Sequence, residues 1–130
     1  MNGTDGGKIL KPRSIERGED VINLNIDWSR LTKKEVSFLK GLPSMIMQNG
    51  LGQTVAFMQC KKEAVRWLAP FTDLLLEHPP TKMLLEVILQ NCDIRSYLYL
   101  QHEAIEYAGW MKKFAVAAQP EDTEEEEDET

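Results

Sequence analysis

Residues 42–62, LPSMIMQNGLGQTVAFMQCKK, carry the clearest structural signals of the chain. The apolar run at residues 45–47 ends at Asn49 and Gly50, and a second apolar run with helical spacing opens at Leu51. Glycine just past a helix end can adopt the left-handed conformation that closes the helix, and the next apolar residue often packs back on its last turn. The stretch therefore predicts two helices joined by a tight corner, with apolar residues burying the corner from both sides.

Upstream of the corner, Thr32 and Glu35 have the spacing of a capping box, in which each side chain bonds the backbone N–H of the other residue. This box predicts a helix from about residue 31 to residue 40. Pro43 removes a helical hydrogen-bond donor and crowds the preceding turn. The sequence leaves open whether one bent helix continues to Gln48 or two short helices form.

The segment before this helix carries only a weak helical signal. Gly18, Asn23 and Asn25 interrupt the turn that could begin at Ser14, so residues 15–28 predict no clear amphipathic helix.

Downstream of the corner, apolar residues continue at helical spacing through Val65 and Leu68. The stripe is widened by Phe57, Cys60, Ala64, Trp67 and Phe71. Proline then breaks the pattern at Pro70.

Two further helices are predicted in the last third of the chain. Residues 82–90, KMLLEVILQ, are apolar nearly all round, which is typical of a core helix. Asp93 is a good N-cap for a final helix that extends to about Ala118. Gln101 is expected on the polar face of this final helix.

No strand pattern competes with these helices, because period-2 alternation and hairpin-spaced turns are missing. The predicted fold is all-α, a single compact bundle of five or six helices. We expect a flexible, glycine-rich lead-in at residues 1–14, the bundle domain at residues 15–118 and a disordered acidic tail at residues 119–130.

The net charge of −6 is concentrated in that tail. Residues 121–129, EDTEEEEDE, hold eight of the 21 acidic residues and no basic one, which leaves 13 acids against 15 basic residues in residues 1–120. A block of like charge repels itself and stays disordered. It is either a solubilising tail or a competitor that binds the basic face of its own chain or of a neighbouring copy.

The sequence favours a cytoplasmic protein. No apolar run reaches the roughly 18–20 residues of a membrane span, and no signal-peptide pattern is present. Cys60 and Cys92 lie in apolar helical surroundings, which favours buried free thiols over a disulfide or a redox pair.

Signals of catalysis are scarce. His102 and Glu106 are one helical turn apart, but they lack the second histidine and the third ligand of a zinc site. His78 lies beside a Pro-Pro break, and the cysteines and histidines have no zinc-finger spacing. A phosphate-binding loop follows a strand, but no strand precedes the glycines around Leu51. We therefore expect no enzyme, no catalytic residue, no metal site and no cofactor.

Basic pairs are the remaining feature with a chemical meaning. They lie in three different predicted helices and comprise Lys33 and Lys34, then Lys61 and Lys62 with Arg66, then Lys112 and Lys113. Each pair alone is more often a solvated helix face. Together they could form one stripe that attracts a phosphate backbone without reading sequence.

Two sequence blocks resemble a known family. LPSMIMQNGLGQTVAFM and YLQHEAIEYAGWMKKFA are similar to blocks of the small helical subunit of the type III-B CRISPR effector, the Cmr complex. The first block matches at Leu42, Pro43, Ile46, Asn49, Gly50, Leu51, Gln53 and Phe57. The second matches at Glu103, Ala104, Trp110, Lys112 or Lys113, Phe114 and Ala115.

The resemblance implies a role in antiviral defence. Such subunits stack in copies as the minor filament of an RNA-guided complex, associate with the other Cmr subunits and contact the target RNA paired to the CRISPR guide RNA. Target cleavage and cyclic-oligonucleotide synthesis belong to other subunits, so this chain would be non-catalytic. We expect Lys61, Lys62 and Arg66 to contact phosphates first, then the pair on the final helix, then the pair after the capping box.

Two other classes of function stay open on the sequence alone. A free-standing adaptor that binds a protein helix would need an exposed apolar groove and would be indifferent to salt and RNA. A helical enzyme would need polar groups that converge in a pocket, for which His102 with Glu106 is the only starting point.

Overall fold

A computed structural model describes residues 12–76, 83–91 and 93–120 of the 130-residue chain. Within these ranges the secondary structure is helical throughout, with no strand. The helices are α1 (Arg13–Ile22), α2 (Lys33–Asn49), α3 (Leu51–Met58), α4 (Lys62–Val65), α5 (Leu68–Leu75), α6 (Leu84–Asn91) and α7 (Ile94–Ala117), with a short 3-10 turn at Trp28–Arg30. Six of the seven have eight or more residues and α4 is a single turn, so the predicted all-α fold is confirmed.

Helix α7 is the element around which the bundle is built. It has 24 residues and packs against α1, α2, α3, α5 and the 3-10 turn, most extensively against α2. Its buried positions include Leu100, Ala104, Ala108, Met111 and Ala115, which recur at helical spacing. The alanines leave room for the facing helix to approach closely, and the N-cap Asp93 and the predicted end near residue 118 are confirmed.

Helix α2 runs unbroken through Pro43. Leu39, Leu42 and Ile46 on either side of the proline are fully buried in the core. We attribute the continuity to this packing, which offsets the hydrogen bond that the proline cannot donate. The capping box is present as predicted, with Glu35 N–H donating to Thr32 Oγ1 at 3.1 Å and Thr32 N–H donating to Glu35 Oε1 at 3.0 Å.

The corner between α2 and α3 depends on Gly50, which has φ 88° and ψ 157°. Only glycine populates this region readily, although it is not the left-handed helical conformation that the sequence suggested. Two side chains of α7 then cap α3: Gln101 Oε1 accepts from Leu51 N–H at 2.9 Å and Tyr97 Oη accepts from Gly52 N–H at 3.1 Å. Gln101 is therefore half-buried, and its placement on the polar face was wrong.

Helix α1 is the largest departure from the sequence prediction. It spans ten residues and begins at Arg13, ahead of the predicted start of the bundle domain. Gly18, which looked like an interruption, lies against the indole of Trp110, where an added Cβ would stand 3.0 Å from the ring. The glycine permits this close approach of α1 to α7, and that tertiary contact outweighs its weak helix propensity.

A buried ion cluster also joins α1 to α7. Glu103 is 5% exposed. Its carboxylate accepts one hydrogen bond from Arg17 Nη2 at 2.6 Å and another from Arg13 Nη2 at 2.8 Å. The hydrogen bonds from Arg17, supported by Arg13, hold the pKa of Glu103 below its usual value despite burial. The Tyr107 hydroxyl donates to Asp20 Oδ2 at 2.8 Å. Burial, and to a smaller extent this hydrogen bond, raises the pKa of Tyr107 to about 12. Glu103, a matched residue of the second sequence block, is therefore a buried anchor between α1 and α7.

Several burial predictions after the corner need correction. Val65 is 46% exposed and Cys60 is exposed, because the chain turns between α3 and α4 and between α4 and α5. Trp67 and Phe71 of the same stripe are fully buried, as predicted. In α6, two residues of the apolar run are buried, but Leu89 is 72% exposed, so this helix is not buried all round.

Some predictions fall outside the described residues. These are Cys92, the prolines and His78 of residues 77–82, most of the lead-in and the acidic residues 121–129. None of the described helices is long and apolar enough to cross a lipid bilayer.

Replacement of the corner glycine tests its backbone conformation. Gly50→Ala should lower the free energy of unfolding by about 1–3 kcal/mol, because a Cβ is strained at this positive φ and would meet Tyr97 Oη at 3.2 Å. Gly109→Ala is the matched control, since no atom lies within 4 Å of its added Cβ, and it should stabilise α7 by about 0.5–1 kcal/mol. Urea unfolding of both variants measures the difference, and equal stabilities would contradict the assignment.

The pH dependence of stability tests the buried ion cluster. The folded-state pKa of Glu103 lies below its ordinary value of 4.5, so its contribution is fully present above pH 4.5 and is lost as the pH falls through the folded pKa. Glu103→Gln should cost about 3 kcal/mol near neutral pH and flatten the loss of stability below pH 4.5. Urea midpoints measured against pH give the slope, with Glu86→Gln, an exposed carboxylate on α6, as control. An unchanged slope in Glu103→Gln would contradict this account.

Candidate nucleic-acid interface

Two of the three predicted basic pairs meet in space. The first turn of α2 lies beside α4, and together they form a groove of about 480 Å³. We call it the basic groove, and the residues that line it are Thr32, Lys33, Lys34, Glu35, Lys62 and Glu63. Because α2 and α4 are separated by more than ten residues of chain, this convergence depends on tertiary packing.

One ion pair joins α4 to the start of α2. Arg66 Nη1 donates to Glu35 Oε2 at 2.8 Å, while the other oxygen of Glu35 accepts from Thr32 in the capping box. Burial alone would raise the pKa of Glu35, but the Thr32 N–H and the Arg66 guanidinium favour the charged form more strongly and lower it. Glu35 therefore starts α2 and at the same time positions α4.

Arg66 also stacks on the core. Its guanidinium lies 4.7 Å from the centroid of Trp67, which is fully buried and itself stacks on Trp28 with centroids 5.6 Å apart. With both its charge and its planar face engaged, Arg66 acts in this geometry mainly as a positioning residue. The phosphate contact expected of it stays a prediction.

The lysines around the basic groove are available for a ligand. Lys33, Lys34, Lys61 and Lys62 are exposed, and none lies within the 4.0 Å ion-pair distance of a carboxylate in the described part of the chain. Lys61 Nζ lies 5.8 Å from the centroid of Phe57, so only a weak cation–π contact competes for it. The positive end of the 17-residue α2 dipole points to the same place.

Glu63 is the one acid on this groove that has no arginine partner among the described residues. The three lysines that line the groove, Lys33, Lys34 and Lys62, outnumber it, so the local charge is positive. This arrangement suits an extended anion with several phosphates better than a small buried ligand, since the lysines of the groove are exposed.

Lys112 and Lys113 do not line the basic groove. Both are exposed near the end of α7, and Lys113 Nζ lies 5.2 Å over the ring of Trp110, the residue that packs on α1. Lysines of α2 and α4 therefore lie together at the basic groove, whereas the α7 pair lies outside it, beside Trp110. The lysines after the capping box, which the sequence ranked last, lie at the centre.

The geometry does not support a catalytic site at His102 and Glu106. His102 is exposed, and Glu106 Oε1 faces Arg17 Nη1 at 3.6 Å. Across residues 12–76, 83–91 and 93–120, no three histidine, cysteine or acidic side chains are grouped so that they could hold a metal ion.

A second groove of about 550 Å³ lies where α1, α5 and α7 meet. Arg13, Glu103, Tyr107 and Asp20 line part of it and bond to one another. Their mutual satisfaction indicates a structural role.

Sequence reasoning missed the link between Glu35 and Arg66. The capping-box spacing identified Glu35 as a helix-starting residue, but a carboxylate has two oxygens, and the partner of the second one lies 31 residues away. Only the packing of α4 on α2 reveals that partner.

Paired alanine variants separate the positioning role from the ligand-binding role. Arg66→Ala should lower the free energy of unfolding by about 1–2 kcal/mol, because it leaves Glu35 without its charged partner and uncovers Trp67. Lys62→Ala, on the same helix and exposed, should stay within about 0.5 kcal/mol of the parent chain. Thermal or urea unfolding measures both, and a stable Arg66→Ala variant would refute the positioning role.

Comparison with known proteins identifies the family. The model of the family described as CRISPR-associated protein (Cas_Cmr5) matches residues 18–118, which include α2 to α7 and the basic groove. The CRISPR system Cmr subunit Cmr5 of Thermotoga maritima is 36% identical over 108 residues, covering 80% of this chain and 82% of that relative. Both matches agree with the resemblance carried by the two sequence blocks. The chain therefore belongs to the Cmr5 family of CRISPR-associated proteins, the small subunits of Cmr complexes.

Proposed function

We propose that this protein is a non-catalytic subunit of a cytoplasmic Cmr ribonucleoprotein and contacts the phosphate backbone of the guide–target RNA duplex through the basic groove. Family membership supports the assembly, since the Thermotoga maritima relative is named as a Cmr subunit. The observation that carries the RNA contact is the convergence of three exposed lysines, Lys33 and Lys34 of α2 and Lys62 of α4, none paired with a described carboxylate.

The groove suits contact with phosphates more than contact with bases. Lysine ammonium groups on flexible stems act as point charges that follow a backbone without reading sequence. Phe57, the aromatic ring nearest to Lys61, is half-buried against the core and is not free to stack on a base. Sequence would then be read by pairing between guide and target, as in other RNA-guided complexes.

The opposite end of the bundle offers surface for protein contacts. The end of α2 meets the start of α7 at Gly50, while the 3-10 turn before α2 meets Phe114 near the end of α7, so the two helices are antiparallel. The basic groove therefore lies far from the start of α7, where Ile94 is 77% exposed and Leu98 is 55% exposed, one turn apart. We call these two residues the apolar end.

Two unlike ends suit a stack of copies. Head-to-tail association joins two different faces of a subunit and can propagate into a filament. We propose that the apolar end contributes to contacts with a further copy or with another Cmr subunit, which supports the minor-filament role. The same exposed residues favour the second candidate, a protein adaptor, whose binding would be insensitive to salt.

Charge-matched double variants test the RNA contact in the assembled Cmr complex. Lys34→Ala with Lys62→Ala should weaken target RNA binding and lower the slope of log affinity against log salt by about two for each copy that contacts the duplex. Lys112→Ala with Lys113→Ala removes the same charge outside the groove and should have the smaller effect. Filter binding across a salt series measures both slopes. An equal loss in the two variants would remove the groove as the main contact, and unchanged binding in both would favour the adaptor.

A further inference from the structure

The described chain ends at residue 120, next to a residue that contacts the 3-10 turn before α2. Gln119 Nε2 donates to the carbonyl of Trp28 at 3.1 Å and to the carbonyl of Ala115 at 2.7 Å, which holds the end of α7 against the 3-10 turn. Trp28 also contacts Phe114 and Trp67, with ring centroids 5.9 Å and 5.6 Å apart. The chain just before the acidic residues 121–129 is therefore anchored at the 3-10 turn.

That place is within reach of the groove. Trp28 precedes Lys33 by five residues, so at most about 18 Å of extended chain separates the carbonyl that holds Gln119 from the first lysine. The nine residues 121–129 extend to about 30 Å. A segment that begins at residue 121 can therefore lie along Lys33, Lys34 and Lys62.

The charges of the segment and the groove are complementary. Residues 121–129 carry eight carboxylates and no cation. The groove presents Lys33, Lys34 and Lys62, and no described carboxylate forms an ion pair with any of them. On α7 the alternative is a single pair, of which Lys113 already lies over Trp110.

We propose that the acidic segment 121–129 binds the basic groove of its own chain and competes there with RNA phosphates. The competition rests on the RNA contact proposed above, whereas the binding of the segment rests only on charge and reach. A short tether gives a local concentration on the order of millimolar, which favours the chain's own segment over that of another copy. In an isolated subunit the acidic segment then weakens the binding of unrelated RNA. A duplex that contacts many subunits at once displaces the acidic segments of all of them.

Zero-length carbodiimide cross-linking of the full chain tests the binding directly. The expected products are amide bonds between carboxylates of residues 121–129 and Lys33, Lys34 or Lys62, identified by mass spectrometry at low salt and lost at about 0.5 M salt. An equal yield of cross-links to Lys112 or Lys113 would overturn the groove assignment. Mixing ¹⁵N-labelled with unlabelled chains identifies the donor, and products that mostly join labelled to unlabelled chains would overturn binding within one chain.

RNA titration of the isolated full-length protein tests the competition. A variant with Gln for Glu and Asn for Asp at all eight acidic positions should bind a short RNA duplex about three- to tenfold more tightly at low salt, and the gain should vanish at high salt. The same neutral segment in a Lys33→Ala, Lys34→Ala, Lys62→Ala background should give no gain.

The outcomes separate the two proposals. A gain that persists in the triple-alanine background would show general charge repulsion and overturn binding in the groove. Cross-links to the groove without any RNA affinity, in the isolated chain or in the complex, would support the segment's binding and contradict the RNA contact. RNA affinity through the groove without cross-links would support the RNA contact and contradict the binding of the segment.

Discussion

The close packing of α2 against α7 is the constraint on which the rest of the structure depends. Ala104 and Ala108 let the two helices approach, and the fully buried side chains of α2 fill the space between them. With this pair in place, Gln101 and Tyr97 of α7 can reach the first N–H groups of α3 and hold the corner at Gly50. At the other end, the start of α2 lies where α4 can bring its lysine beside the capping box.

Local signals predicted much of this fold from the sequence. The Thr32–Glu35 box, the glycine corner and the Asp93 cap each act within a few residues of chain, so spacing and residue type are sufficient to identify them. Helix α1 could not be predicted in this way. Its stability depends on Gly18 lying under Trp110 and on an ion cluster with Glu103, and both partners are more than 80 residues away.

The candidate site shows the same division between local and tertiary information. The basic pairs were visible in the sequence, but their convergence was not, because it depends on the ion pair that docks α4 on α2. That ion pair gives Arg66 a positioning contact with Glu35, while Lys33 and Lys34 line the groove. The helical spacing also predicted that Cys60 and Val65 are buried. Both are exposed, because the chain turns between the short helices α3, α4 and α5.

The long separation of these contacts along the chain has a consequence for biosynthesis. Arg17 and Glu103 are 86 residues apart, and the apolar face of α2 finds its main partner only in α7, which begins at Ile94. Contacts of such high sequence separation form late, since a long loop must close before they are made. On the ribosome, α1 and α2 are synthesised well before α7 emerges. The faces of α1 and α2 that pack on α7 then stay uncovered until α7 has emerged, which leaves them open to chaperone binding until that point.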